Sequence, residues 1–321
     1  MKRSWMKMFG IVFVTALTCS PAWSSIPPQP GVINYVEGQA AIGGQPLNSS
    51  SAGNAQLAPG QSLTTESGKA EILLTPGAFL RLAEHGSVQM VSPGLANTVL
   101  TLNKGRALVE ADQVYPTTDI RINEGGSSIH LLKPGLYDFD ADRGQIRVFA
   151  GQVEVQVGSR NIQVKKDHEL SLSTTGKLKA VKFDEKAFED SFYQWSSLRS
   201  SYLAGANMDA ARRYAGNAVG SYSSPGWYGA GWYWDPGFAA YTFLPADGMF
   251  YSPFGWGFYS PWVVFGGPYF GYGRYGHFGP GYHAPYAAHG FVGRAYGGGA
   301  AGSFRGGGFG GGFARGGGGR R

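Results

Sequence analysis

From Lys69 to Leu82 the side chains alternate. Ala70, Ile72 and Leu74 interleave with Glu71 and Leu73, and Leu80 and Leu82 interleave with Phe79 and Arg81 across Thr75-Pro76-Gly77. A period of two predicts half-buried strands, and Glu66-Ser67-Gly68, Thr75-Pro76-Gly77 and His85-Gly86 supply the turns. The same rhythm runs from Ile26 to Phe183. Predicted strands lie at Val32–Val36, Gln39–Ile42, Gly60–Thr65, Lys69–Leu74, Ala78–Ala83, Ser87–Val91, Val99–Leu102 and Ala107–Glu110. They continue at Asp119–Ile122, Ser128–Leu131, Leu136–Phe139, Ile146–Phe149, Val153–Val157, Ile162–Val164 and Leu170–Leu172. Short strands at this spacing predict an all-β sandwich, roll or barrel over residues 26–183. Val153, Val155 and Val157 against Glu154 and Gln156 predict one buried and one wet face.

The period changes at residue 184. Phe188, Phe192, Trp195, Arg199 and Tyr202 fall at helical spacing behind an Asp184 suited to N-capping, which predicts an amphipathic helical segment over 184–215 docked on the β-domain. Gly205 is expected to end the first helix, with Asn207 capping a shorter second one. Beyond residue 216 periodicity disappears. Residues 216–296 are rich in Gly, Pro and aromatics, and residues 297–321 are nearly pure Gly with Phe and Arg. Too few bulky side chains remain at that end to offset the entropy of ordering, so disorder is expected there and a largely disordered tail overall, while the aromatic half leaves partial compaction open.

The order of strands and turns in Gly60–Val91 resembles the FecR domain of bacterial envelope proteins. Leu102-Asn103-Lys104-Gly105-Arg106-Ala107-Leu108-Val109 is similar to that family's next strand, Gly turn and strand. Asp140–Val157, with Asp142-Arg143-Gly144 at its turn, is similar to its closing hairpin. Where many members carry Gly-Thr before an aromatic, this chain has Lys133-Pro134-Gly135-Leu136-Tyr137. The resemblance covers about half the chain and implies a binding or scaffold module. It also implies the alternative of a periplasmic signal-sensing component related to sigma-factor regulation. With its aromatic tail, the chain looks like a group of exported FecR-like bacterial proteins of unknown function.

Residues 1–24 read as a secretory signal. Lys2, Arg3 and Lys7 precede the apolar run Met8–Leu17, and Ala22-Trp23-Ser24 places small residues for cleavage after Ser24. Ala16-Leu17-Thr18 makes a poor lipobox for Cys19. Cys19 is the single cysteine and leaves with the signal, so a disulfide, a thiolate nucleophile and a Cys-based metal site are excluded from the mature chain. The expected location is the periplasm or cell surface, with no transmembrane helix in the mature chain and no cytoplasmic segment before Met8. Removing those three cations lowers the net charge from +6 to +3. The remainder is uneven, since Arg274, Arg294, Arg305, Arg315, Arg320 and Arg321 face only Asp235 and Asp247 after residue 216. A mildly cationic arm suits anionic surface polymers or lipid headgroups, whereas export argues against nucleic acid.

Candidate chemistry is sparse. Asp138, Asp140 and Asp142 alternate near a strand end, with Glu110 and Asp112 as further carboxylates, but no Gly-anchored calcium loop accompanies them. They read as a solvated face that deters edge pairing. His277, His283 and His289 lack the spacing of a metal site, and His85, His130 and His168 sit apart with no triad partner. Gly-x-Gly-x-x-Gly patterns in the tail arise from composition, and Arg305-Gly-Gly and Arg315-Gly-Gly favour self-association over RNA. Trp227, Trp232, Trp234, Trp256 and Trp262 are the candidate polymer-binding aromatics, able to stack on sugar rings or to pack on one another. The expectation is a non-enzymatic envelope scaffold without cofactor or metal. Its partners are an envelope protein, surface polysaccharide or peptidoglycan, or a second copy; a carbohydrate-binding module using the Trp cluster is a further alternative.

Overall fold

The computed structural model describes residues 28–172, 178–217 and 229–265. The expected signal segment with Cys19, Trp227, His277, His283, His289, the arginines from Arg274 onward and the Gly-rich end lie outside the described residues.

The chain shuttles between two sheets. Strand β1 (Ile33–Glu37) opens the first; β2 (Ala40–Ile42), β3 (Gln45–Leu47) and β4 (Ser62–Thr65) belong to the second. Then β5 (Lys69–Thr75) and β6 (Ala78–Leu82) return to the first, β7 (Ser87–Gly94) and β8 (Asn97–Lys104) to the second, and β9 (Arg106–Ala111) to the first. Strands β10 (Asp119–Glu124) and β11 (Ser127–Leu131) lie in the second sheet, β12 (Gly135–Asp140) and β13 (Gln145–Ala150) in the first. Finally β14 (Gln152–Val157) and β15 (Arg160–Lys165) extend the second sheet, and β16 (His168–Ser171) and β17 (Val181–Lys182) complete the first. The first sheet runs β1-β5-β6-β9-β12-β13-β16-β17 and the second β15-β14-β11-β10-β8-β7-β4-β2-β3. Because β9 leaves for the opposite sheet, the chain re-enters beside β8 in the same direction. The β8/β10 pair is therefore parallel, while the other pairs among the described strands are antiparallel.

The all-β sandwich expected from the alternation is present, and its two inner faces share one core. Ile72, Leu80, Val109 and Val148 from the first sheet meet Leu63, Met90, Leu100, Ile122 and Val155 from the second, all fully buried. Each such side chain contributes about 1.5–3 kcal/mol of transfer free energy, which suffices without a disulfide. The expected closing hairpin over Asp140–Val157 is divided. The Asp142-Arg143-Gly144 turn does join β12 to β13, but β13 and β14 lie in different sheets. The chain crosses at Gly151, whose φ of +89° and contact with the Tyr137 hydroxyl leave no room for a Cβ.

The helical region also departs from expectation. Asp184 caps a single 3-10 turn, Glu185–Phe188, by accepting from the Lys186 amide at 3.2 Å. Asp190 caps the main helix, accepting from the Phe192 and Tyr193 amides. That helix, α1 (Ser191–Asn217), runs straight through Gly205 and Asn207. A mid-helix glycine costs about 1 kcal/mol relative to alanine, but here a Cβ on Gly205 would sit 3.0 Å from the Phe238 ring. Close packing thus explains the glycine.

Residues 229–265 belong to the aromatic stretch, for which the sequence leaves partial compaction open, and they are ordered. They form the hairpins β18 (Gly231–Asp235) with β19 (Ala240–Leu244) and β20 (Met249–Tyr251) with β21 (Gly257–Tyr259), followed by α2 (Pro261–Phe265). Trp232, Tyr241, Phe243 and Phe258 join Leu203 of α1 and Leu73 and Phe79 of the first sheet in a second core. The burial needed to order this stretch comes from the helix and the sheet, so it leaves no local period.

One acid lies inside the sandwich. Glu124 ends β10 on the inward register of Ile120 and Ile122, and neither carboxylate oxygen has a hydrogen-bond partner among the described residues. Burial first, then the nearby charges of Asp140 and Asp138, push its pKa up from 4.5 to about 8 despite Arg147. The folded state therefore holds a proton that the unfolded chain releases above pH 4.5, and stability is lost as pH rises from 4.5 through 8. We predict that Glu124→Gln raises the melting temperature at pH 8.5 by the equivalent of a few kcal/mol, at about 1.4 kcal/mol per pKa unit, and changes it little at pH 4.5. Thermal melts of both proteins at the two pH values test this; equal differences at both would refute it.

Candidate functional site

The outer face of the first sheet carries a charged row. Register sets Glu71 opposite Arg81, Arg81 opposite Leu108, Leu108 opposite Asp138, Asp138 opposite Arg147 and Arg147 opposite Glu169. Strand alternation would turn these residues to water, yet Glu71, Arg81 and Asp138 are 0% exposed. Helix α1 and the C-terminal hairpins cover them.

Two ion-pair clusters result. In the first, Arg81 Nε donates to Glu71 at 2.8 Å and Nη1 to Glu110 at 2.5 Å, while Arg199 of α1 donates to the other Glu71 oxygen at 3.0 Å. Ser200 donates to the other Glu110 oxygen at 2.5 Å. Burial works against the charged form of Glu71, but Arg199 and Arg81 outweigh it and hold its pKa below the usual value. Burial likewise opposes the Arg81 cation, and Glu110 and Glu71 more than compensate. In the second cluster, Asp138 accepts from Arg106 at 2.8 Å and Arg147 at 3.2 Å, Arg147 donates to Glu169 at 3.1 Å, and Arg106 reaches Asp190 at the start of α1. Aromatic rings cover the guanidinium planes: Phe188 lies over Arg147 at 4.0 Å, Phe192 over Arg106 at 5.5 Å and Tyr35 beneath Arg199 at 3.9 Å. The stripe Phe188, Phe192, Trp195, Arg199 predicted for the helix does dock on the β-domain, with Phe188 and Phe192 against the sheet's Arg147 and Arg106 and Arg199 on Glu71; Tyr202 is exposed.

Asp112 stands beside the first cluster with both oxygens unpartnered among the described residues. Burial and the adjacent Glu110 charge push its pKa well above the usual carboxylate value, which favours a neutral carboxyl there.

Two buried asparagines stitch the hairpins in place by presenting a side-chain amide where a neighbouring strand would present a peptide. Asn34 on β1 donates to the Tyr241 carbonyl at 3.0 Å and accepts from the Tyr241 amide at 2.7 Å. Asn207 in α1 donates to the Phe243 carbonyl at 2.8 Å and the Tyr259 carbonyl at 3.1 Å, and accepts from the Tyr259 amide at 2.8 Å. The helix thereby bridges the edges of β19 and β21. Residue type alone would not reveal either role, because each depends on a hairpin with no sequence period.

The predicted site residues disperse. Asp138 and Asp140 are buried on β12, a central strand, so they are neither a solvated face nor an edge. Asp138 serves two arginines, Asp140 accepts from the Arg143 amide, and Asp142 accepts from the Gly105 amide. Among the described residues no three His, Cys, Asp or Glu side chains gather as a metal site, and no helix is long and apolar enough to cross a membrane. Of the candidate aromatics, Trp227 lies outside the described residues. Trp232 is 8% exposed in the second core, and Trp234 rests its ring on Gly53 and edge-on against Tyr241 at 5.1 Å. Trp256 and Trp262 remain 42% and 60% exposed, accompanied by Tyr251 at 62% and by Met249 and Val263. Pairing sets Tyr251 opposite Gly257, next to Trp256, at the turn of the last hairpin, and Met249 opposite Tyr259 at its other end, from which the chain enters α2 with Trp262 and Val263.

No protein-family model matches the chain, and no curated protein matches it. Among solved structures, two crystal structures of a protein from Parabacteroides distasonis ATCC 8503, provisionally described as an anti-sigma factor, share 12% and 11% identity over 38% of this chain. Their TM-scores are 0.33 and 0.34, and the match spans 58% and 60% of those chains. At that similarity neither their fold nor their role transfers.

Breaking the seam or a stitch should be costly. Arg199→Ala removes one of the two cations that compensate buried Glu71 and leaves the oxygen it bonds only the neutral Asn34 amide, at 2.9 Å, as donor among the described residues, for an expected loss of about 3–5 kcal/mol. Asn207→Ala strands three backbone groups, for a loss of about 2–4 kcal/mol. Urea unfolding monitored by Trp fluorescence reads both, and losses under about 1 kcal/mol in each would show that the helix contacts are peripheral.

Proposed function

We propose that this chain is a non-enzymatic, exported envelope scaffold that associates with further copies of itself through the aromatic rim of its C-terminal hairpin module. The carrying observation is the division of the tryptophans: Trp232 and Trp234 are spent on internal packing, while Trp256 and Trp262 stay at the surface with Tyr251. Large exposed apolar side chains grouped on one small module suit an interaction site, and Met249 and Val263 add an aliphatic content that suits a protein partner better than a sugar ring alone. The sandwich and α1 hold that rim on a rigid base through the ion-pair seam and the two asparagines.

Carbohydrate stacking on the same aromatics is the second reading, supported by the exposed planar rings of Tyr251, Trp256 and Trp262. A sensing role linked to sigma-factor regulation would gain support from recovery of residues 1–24 in the mature protein, embedded as an anchor.

Sedimentation equilibrium of the exported protein tests the main reading. Association is expected for the native chain, and a Trp256→Ser, Trp262→Ser variant is expected to sediment as a monomer with stability within about 0.5 kcal/mol of native. A monomeric native chain, or a variant that associates as strongly, would overturn it.

A further inference from the structure

The two large sheets end in four edge strands, and three of these are closed to further pairing. Strand β3 has three residues, one of them Pro46, and β17 has two. Strand β1 is bonded along its free side, where the Ile33 amide donates to the Ala55 carbonyl at 2.9 Å and the Gly53 amide donates to the Ile33 carbonyl at 2.8 Å. Short length, proline and a covering loop are the ordinary means of blocking strand addition. The fourth edge, β15, has six residues, Arg160–Lys165, and none of these three devices among the described residues.

Pairing parity fixes which of its main-chain groups are free. The Lys166 amide donates to the Gly151 carbonyl at 3.2 Å, and Val164, Ile162 and Arg160 continue that series opposite Val153, Val155 and Val157. Asn161, Gln163 and Lys165 therefore turn their N–H and C=O groups away from β14, and among the described residues no hydrogen bond reaches those groups. A row of donors and acceptors in this geometry is matched by another extended main chain. The main core also reaches this edge, since Val164 is fully buried and Ile162 half-buried against it. An added strand would bury apolar side chains beside Ile162.

Charge narrows the occupant. Strand β15 carries Arg160 and Lys165 and no acid, and neither cation has an ion pair among the described residues. Just past its end Lys166 pairs with Asp167 at 3.9 Å, while Glu154, opposite Gln163, stands one strand further from the edge. The border strand itself is thus cationic. A second copy of β15 would bring two more cations and no acid, which disfavours pairing of the strand with itself. Residues 1–27, 173–177, 218–228 and 266–321, which lie outside the described residues, contain no Asp or Glu, so they do not supply the match.

We infer that β15 is a docking edge for an extended segment of a different protein, which adds to the second sheet as a further strand and sets acidic side chains beside Arg160 and Lys165. Its residues are distinct from those of the aromatic rim, and the inference does not rest on self-association.

Fluorescence anisotropy of the full exported chain tests it with three labelled, end-capped heptapeptides that alternate Val with Glu, with Gln or with Lys. The Glu peptide should bind roughly tenfold more tightly than the Gln peptide, and the Lys peptide should bind least. The fully N-methylated Glu peptide keeps every side chain but has no main-chain donor, and it should not bind. The double variant Arg160→Glu, Lys165→Glu should reverse the order of the Glu and Lys peptides at an unchanged melting temperature. If melting shifts instead, the N-methylated peptide still decides, because it is used on the native chain. Trp256→Ser should bind the Glu peptide as the native chain does. The inference fails if the Glu peptide does not bind the native chain, if the three peptides bind equally, or if N-methylation leaves binding intact. It also fails if a folded charge-reversed variant keeps the native order, or if Trp256→Ser abolishes binding. Loss of a dimer in the charge-reversed variant, read by ultracentrifugation, would overturn it as well, since the occupant is then a second copy.

Discussion

Arg81 has no route to water. Its guanidinium is fully buried at the centre of a sheet face, and it stays charged only because Glu71 and Glu110 close on it from either side. Those carboxylates have further lone pairs that also need donors, and Arg199 and Ser200 of α1 supply them. The requirement propagates outward. A wholly apolar helix would leave the sheet's charges unpaired, at a cost of several kcal/mol per ion, so the covering layer must itself be polar at chosen points. This accounts for the character of α1, whose buried side includes Ser196, Arg199, Ser200 and Asn207 among its alanines.

The same constraint explains why residues 229–265 belong to the structured body. Helix α1 covers the sheet only with support on its other side, and the hairpins provide it through Leu203, Phe243 and Phe258. Asn34 and Asn207 then fix the hairpins against the sandwich and the helix by direct backbone bonds. The two sheet faces consequently differ in kind. One has its charges consumed in holding the molecule together; the other keeps its amides and hydroxyls toward solvent.

Much of the sandwich was legible because inward positions repeat at period two over strands such as β5, β6 and β14. Alternation reports which residues face the core, but it says nothing of what lies beyond the other face. Glu71, Arg81 and Asp138 therefore read as half-buried strand partners or solvated acids, and only a second layer shows them buried. Gly205 and Asn207 misled for a related reason. Their local preferences favour a helix end, but contacts with Phe238 and with β19 and β21 override them. The aromatic stretch left partial compaction open, but its strands were not legible, since Trp232 and Trp234 are neighbours in a Gly-rich segment whose order comes from distant partners. Within the candidate site, the exposed pair Trp256 and Trp262 could not be told from the buried Trp232.

The central claim is that sandwich, helix and hairpins form one cooperative body locked by the Arg81 seam. Native-state hydrogen exchange measures it most directly. The account predicts that amides of α1 and of β18 and β19 open only with the amides of β5 and β6, at the same free energy and with the same denaturant dependence. Exchange of α1 and the hairpins at markedly lower free energy, while β5 and β6 stay protected, would contradict it.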